Sequence, residues 1–231
     1  PDKLETTLTV RLAGEQRKLY LANQDRIAQQ VQHREASEFK KDKLKVLAEL
    51  TKLRQICCDP RLHYEDYKAG SAKLDTCMEL VHGALDGGHR ILLFSQFTGM
   101  LDIISKRLAK EDIAFLKLTG ASSKESRAKM VAQFQAGGVG LNLTAADVVI
   151  HYDPWWNVAA QDQATDRAHR IGQQHTVTVY KLIAKDTIEE RIMQMQESKR
   201  DLVNSVLGGD GISSALFTRE DVLALLGGDG R

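Results

Sequence analysis

Four short apolar runs divide the central part of the chain: Arg90–Phe94 (RILLF), Phe115–Leu118 (FLKL), Val148–Tyr152 (VVIHY) and Thr176–Ile183 (TVTVYKLI). Each is too short for a helix, and helical patterns separate them. Ser71 is placed to cap a helix whose Leu74, Met78, Val81 and Leu85 form one apolar stripe, and Gly87-Gly88 stops it. Leu101, Ile104 and Leu108 mark a second helix, and Ser122 with Glu125 reads as the capping box of a third, running through Phe134. Strands alternating with helices predict an α/β fold with a parallel sheet covered by helices on both faces. A continuous apolar run such as RILLF predicts a strand buried on both of its faces.

Helical segments flank this centre. Residues 12–58 read as helices, with Val46, Leu50, Leu53 and Cys57 on one face, and Pro60 ends the run. A polar stretch, His63–Gly70, marks a boundary. Thr187 and Glu190 cap a long helix with Ile188, Ile192, Met195, Leu202 and Val206 facing inward, and a short helix begins near Thr218 beyond Gly208–Gly211. The predicted organisation is a helical protrusion or entry segment over 1–62, an α/β lobe over 63–185, and a helix with a tail over 186–231.

Charge and cysteines narrow the class. Lys plus Arg is 32 against 31 for Asp plus Glu, but residues 1–62 hold 13 basic and 9 acidic side chains. A basic helical end favours a polyanion partner only weakly. Cys57, Cys58 and Cys77 form an odd set with no CxxC, which argues against a disulfide framework or a zinc site and for buried thiols. No apolar run is long enough to span a membrane. The expectation is a soluble intracellular protein, in a bacterial or archaeal cytoplasm or nucleoid, or in a nucleus.

The segment Asp153–Gln173 (DPWWNVAAQDQATDRAHRIGQ) carries the most chemistry. Arg167 and Arg170, three apart, would share one face of a helix. Paired guanidinium groups suit a transferring phosphoryl group, although the same spacing serves surface ion pairs with Asp162 and Asp166. Just upstream, Gly137, Gly138 and Gly140 permit positive φ and close approach of amides to phosphate, or simply an ordinary strand-to-helix turn. Ser95, Gln96 and Phe97 follow the first strand, at the end where open α/β sheets bind ligands.

Taken in order, these motifs resemble the second motor lobe of Swi/Snf-family DNA translocases. ILLFSQF (Ile91–Phe97) resembles the fourth helicase motif, AGGVGLNLTAAD (Ala136–Asp147) the fifth and QATDRAHRIGQ (Gln163–Gln173) the sixth, while LRQICCDPRL (Leu53–Leu62) and GSAKL (Gly70–Leu74) match the stretch leading into the lobe. The resemblance implies a RecA-like sheet with an N-terminal helical protrusion and C-terminal brace helices. It implies that Arg167 and Arg170 reach the γ-phosphate of ATP held with Mg²⁺ on a separate first lobe, with Gln163 positioning the motif. Gly138, Gly140, Asn142 and Asp166 would serve the nucleotide side. Ser95, Gln96, Phe97, Lys73, Gly137, Thr144, Trp155 and Trp156 would meet double-stranded DNA, although Phe97 or one indole also suits the core and Lys73 also suits solvent. The implied partners are the first lobe and duplex DNA, and the implied process is of the chromatin-remodelling type.

The chain contains neither a GxxxxGK[ST] phosphate loop nor an acidic Mg²⁺-binding box, so by itself it is expected to hydrolyse little ATP. Gln173 stands where RNA helicases of the DEAD-box group carry arginine, which with the tryptophan pair disfavours an RNA helicase lobe. A non-catalytic DNA-binding or docking module is the competing reading, and intact arginines in the sixth motif oppose it. Two departures stand out. Val158 occupies the position of the usual proline in DPWWNP. A loop and buried strand expected between Phe134 and Ala136 do not stand in the sequence; the core that such a strand supplies favours their omission over a protein that folds without them.

Overall fold

The computed structural model describes residues 2–135, 145–155, 157–170, 172–206, with side chains to 197, and 218–227. Its elements run β1 (Lys3–Arg11), α1 (Gly14–Gln32), α2 (Ala36–Cys58), a 3₁₀ turn (Pro60–Leu62), α3 (Ala72–Asp86), β2 (Ile91–Phe94), α4 (Thr98–Lys110), α5 (Lys124–Gln135), β3 (Val148–His151), α6 (Val158–Thr165), β4 (Val177–Lys185), α7 (Ile188–Val206) and α8 (Arg219–Leu225). The four strands form one sheet in the order β1-β4-β3-β2, with β2 parallel to β3 and β3 parallel to β4. This is the RecA-like α/β architecture the sequence implies.

The chain divides into two compact units. The first holds Pro1–Leu8, Thr76–Asp153 and Ala160–Leu182; the second holds Thr9–Asp75, Pro154–Ala159 and Ile183–Arg231. In the first, Ala146, Val149, Ala168, Val177 and Val179 form a buried cluster, with Leu92, Phe94 and Phe134 packed against it. In the second, Tyr20, Ile27, Leu50, Leu53, Ile56, Ile188, Ile192 and Leu225 belong to a larger buried core. The stripe predicted on α2 lies wholly inside it, as do Ile188 and Ile192, with Met195 packed against it. The side chains of Leu202 and Val206 lie outside the described residues. Cys57, Cys58 and Cys77 are all buried thiols.

Several local expectations are corrected. Lys3–Arg11, ahead of the helices read over 12–58 and given no element of its own, is a strand: Thr6, Thr7, Thr9 and Val10 are β-branched, and only Leu8 and Val10 turn partly inward. Phe115–Leu118 is not a strand, and Phe115, Leu116 and Leu118 are each exposed, so no ladder or apolar layer covers the run. β2 is half-buried at all four residues instead of fully buried, because it ends the sheet order, whereas every residue of β3, an interior strand, is buried. Leu85 falls off the buried face of α3 and is exposed. Helix α5 starts one residue later than expected, with Ser123 Oγ accepting the Ser126 N–H at 3.1 Å, while Ser122 Oγ accepts from Thr119 N–H.

Other end signals hold. Ser71 Oγ accepts from Leu74 N–H and donates to the Cys58 carbonyl at 2.7 Å. Thr187 Oγ1 accepts from Glu189 N–H at the start of α7, and Thr218 with Asp221 closes a full capping box on α8. Among the described residues the sheet consists of the four strands β1 to β4. Phe134 packs on the first unit's core, and its carbonyl accepts from Arg90 Nη1 at 2.6 Å.

Candidate functional site

The arginines sit on a turn, not on a helix. Helix α6 stops at Thr165, whose Oγ1 donates to the Gln161 carbonyl at 3.2 Å and meets His151 Nε2 at 2.8 Å. Hydroxyl bonding of this kind competes with regular helix extension. The backbone continues in turns, with Asp166 N–H bonded to the Asp162 carbonyl and Ala168 N–H to that of Thr165. The shared helical face predicted for Arg167 and Arg170 is therefore replaced by a turn on which both side chains are exposed. Arg170 Nε donates to the Asp166 carbonyl at 3.1 Å. Gln163 and Asp166 are exposed as well.

Buried groups hold the backbone under this turn. Between the two arginines, Ala168 is fully buried in the first unit's cluster. Beyond them, Gln173 is buried; its Nε2 donates to the carbonyls of Ala146 at 2.8 Å and Ala168 at 3.2 Å, and its Oε1 accepts from His175 N–H. Gly172 between them takes φ +106°, which a residue with a Cβ rarely adopts. Before the turn, His151 is buried and stacks on Phe94 with ring centroids 5.4 Å apart. Burial, and then the Lys181 charge, lower its pKa to about 4, so the imidazole bonded to Thr165 is neutral near pH 7. Asp162 and Asp166 face a different cation. Lys3, held mainly by Glu5, has its pKa raised further by both carboxylates.

The Ser95–Phe97 turn leaves the carboxyl end of β2. Tyr152 N–H bonds to the Phe94 carbonyl at 2.9 Å, which sets the end of β3 beside it. Gln96 is exposed, while Ser95 and Phe97 are half-buried, and Phe97 is the N-cap of α4. Asp153, 1% exposed, accepts from Ser95 Oγ on Oδ2 and from Gln96 N–H on Oδ1 at 3.0 Å. Ser95 Oγ in turn accepts from Phe97 N–H at 3.2 Å.

Lys73 is not a phosphate contact. It is 0% exposed, and its Nζ lies 2.7 Å from Glu189 Oε1 and 2.8 Å from Oε2, with Glu189 also 0% exposed. Glu189 Oε1 accepts from Ala184 N–H at 2.9 Å as well. Desolvating two charges is offset only when they meet each other and further polar groups, as these do. In the same unit Pro154 O accepts from Arg54 Nη2 at 2.9 Å, the Trp155 carbonyl accepts from the Gln196 side chain, and Trp155 itself is half-buried. Sequence reasoning missed Asp153, Glu189 and Arg54. Only Asp153 carried a signal, a carboxylate directly following a strand.

The chain resembles known proteins along nearly its whole length. The family described as helicase conserved C-terminal domain matches residues 72–172. The SWI2/SNF2 ATPase C-terminal domain of Sulfolobus solfataricus is 30% identical with a TM-score of 0.77, covering 97% of this chain and 98% of that one. The chain belongs to the SWI2/SNF2 ATPases, as a C-terminal lobe.

The Sulfolobus SWI2/SNF2 ATPase core in complex with dsDNA is 35% identical with a TM-score of 0.79, over 97% of this chain and 50% of that one. An uncharacterized ATP-dependent helicase of Mycoplasma pneumoniae is 38% identical over 97% of this chain. This SWI2/SNF2 lobe spans 23% of that relative's length. Their alignment runs over 239 residues, more than the 231 of the lobe, so the relative carries residues that the lobe lacks. Of the SWI2/SNF2 motif positions named above, Gly137, Gly138, Gly140, Asn142, Thr144 and Trp156 lie outside the described residues.

Proposed function

We propose that this lobe is the second half of an ATP-driven double-stranded DNA translocase. It supplies Arg167 and Arg170 to ATP held with Mg²⁺ on a first lobe, and it grips the DNA backbone. The observation that carries the reading is the arginine turn. Two guanidinium groups project from a short segment whose intervening Ala168 is fully buried and whose flanking Thr165 and Gln173 are buried and hydrogen-bonded. Such a base holds two exposed guanidinium groups on a fixed stretch of backbone, as stabilisation of a developing phosphoryl charge requires. Gln163 and Asp166, exposed on the same stretch, orient the turn toward nucleotide, and Gly138, Gly140 and Asn142 link it to the DNA grip. Gln96, Phe97, Gly137, Thr144, Trp155 and Trp156 form that grip, with backbone contacts that carry little base preference. The duplex-bound Sulfolobus core supports double-stranded DNA as the track.

The test is steady-state ATP turnover of this lobe joined to a first lobe, comparing wild type with Arg170→Ala. Turnover is expected to fall by ~10³–10⁵-fold, with the melting temperature unchanged because Arg170 is exposed. A variant as fast as wild type would overturn the assignment.

A further inference from the structure

We propose that Asp153 is a positioning residue that builds the DNA-gripping turn, and that Gln96, not Ser95, is the side chain the turn presents to a phosphate. The proposal rests on the duplex-gripping reading. Three consecutive residues converge on one buried carboxylate. Ser95 Oγ–H and Gln96 N–H donate to its two oxygens, and Phe97 N–H reaches it through Ser95 Oγ. A serine hydroxyl has a single proton, and here Asp153 takes it. A phosphate diester offers only acceptors, so a hydroxyl whose proton is committed adds nothing to phosphate binding in this arrangement. The side-chain amide of Gln96 carries two donors on an exposed residue, directly between the two anchored positions.

The placement also separates charges. A carboxylate at a DNA surface repels phosphate, yet Asp153 lies at 1% exposure behind the turn with donors on both oxygens. Its negative charge is spent on backbone geometry. Ser95 is the relay that extends this control by one residue, to the N-cap of α4 at Phe97.

The test is binding of a fluorescein-labelled DNA duplex by the 231-residue chain, with Asp153→Asn, Ser95→Ala, the double variant and Gln96→Ala. Each single variant is expected to weaken binding roughly five- to tenfold, the cost of about one lost hydrogen bond. The double variant should be no weaker than either parent, because both substitutions break one network. The salt dependence should be unchanged, since no cation is removed. A further additive loss from Ser95→Ala in the Asp153→Asn background would overturn the proposal, because Ser95 would then be donating to DNA itself. Independently of DNA, amide hydrogen exchange at Gln96 and Phe97 should speed up in Asp153→Ala, and unchanged protection there would overturn the positioning role. Wild-type chain that ignores duplex would instead sink the duplex-gripping reading, and the exchange result would still decide what Asp153 does.

Discussion

Lys73 and Arg170 are both cations in segments that the resemblance assigns to phosphate, and the two units treat them in opposite ways. In the second unit Lys73 is fully enclosed and spends its charge on Glu189, with Ala184 N–H completing the site. In the first unit Arg170 stands exposed with its Nε on the Asp166 carbonyl, while buried Thr165 meets the Gln161 carbonyl and His151, and buried Gln173 meets the Ala146 and Ala168 carbonyls. One arrangement consumes a charge to hold helix starts together. The other keeps the guanidinium at the surface, on a turn whose backbone neutral side chains hold. A basic residue in a familiar motif therefore does not declare its role until its burial is known.

The sharpest way to break this contrast is at Lys73. Lys73→Met leaves Glu189 buried without its cation and should destabilise the protein by about 3–5 kcal/mol, read from denaturant unfolding. A loss in DNA affinity with stability intact would return Lys73 to the DNA side. The next effect is set by pH. His151 has a folded-state pKa lowered to about 4 against 6.5 in the unfolded chain, so the unfolded state takes up the proton first as pH falls. Its contribution to stability is full above about pH 6.5 and is lost as pH drops towards 4, by on the order of 3 kcal/mol. His151→Gln should flatten that part of the profile, and an unchanged acid limb would place the dependence elsewhere.

Smaller effects test local details. Ser123→Ala should cost about 1 kcal/mol by removing the α5 cap, and Ser122→Ala less; the reverse order would restore the capping box read from sequence. Leu118→Asn should stay within about 0.5 kcal/mol of wild type, because the side chain is exposed. A larger loss would mean that the Phe115–Leu118 run is covered after all.

Much of the fold was legible because it depends on local pattern. The runs that became β2 and β3 are continuous and apolar, β4 begins with Val and Thr alternating, and the α2 stripe repeats at helical spacing, so local pattern finds them. β1 escaped because an edge strand with only Leu8 and Val10 turned partly inward has almost no alternation to detect. Phe115–Leu118 has strand composition, but its three apolar side chains are exposed and it joins no ladder, which a local pattern does not reveal. At the site, the identities of the arginines were readable from the sixth motif, but their setting was not. Helix α6 ends at Thr165 through a bond to His151, 14 residues earlier in the chain. Lys73 finds its partner 116 residues away, a distance no spacing rule spans.

The most direct measurement is ATP turnover by the lobe alone and by the lobe joined to a first ATPase lobe, each with and without duplex DNA. The lobe alone should hydrolyse essentially no ATP, and the joined pair should be strongly stimulated by duplex. Hydrolysis by the lobe alone, or a joined pair indifferent to duplex, would contradict the division of labour proposed for this chain.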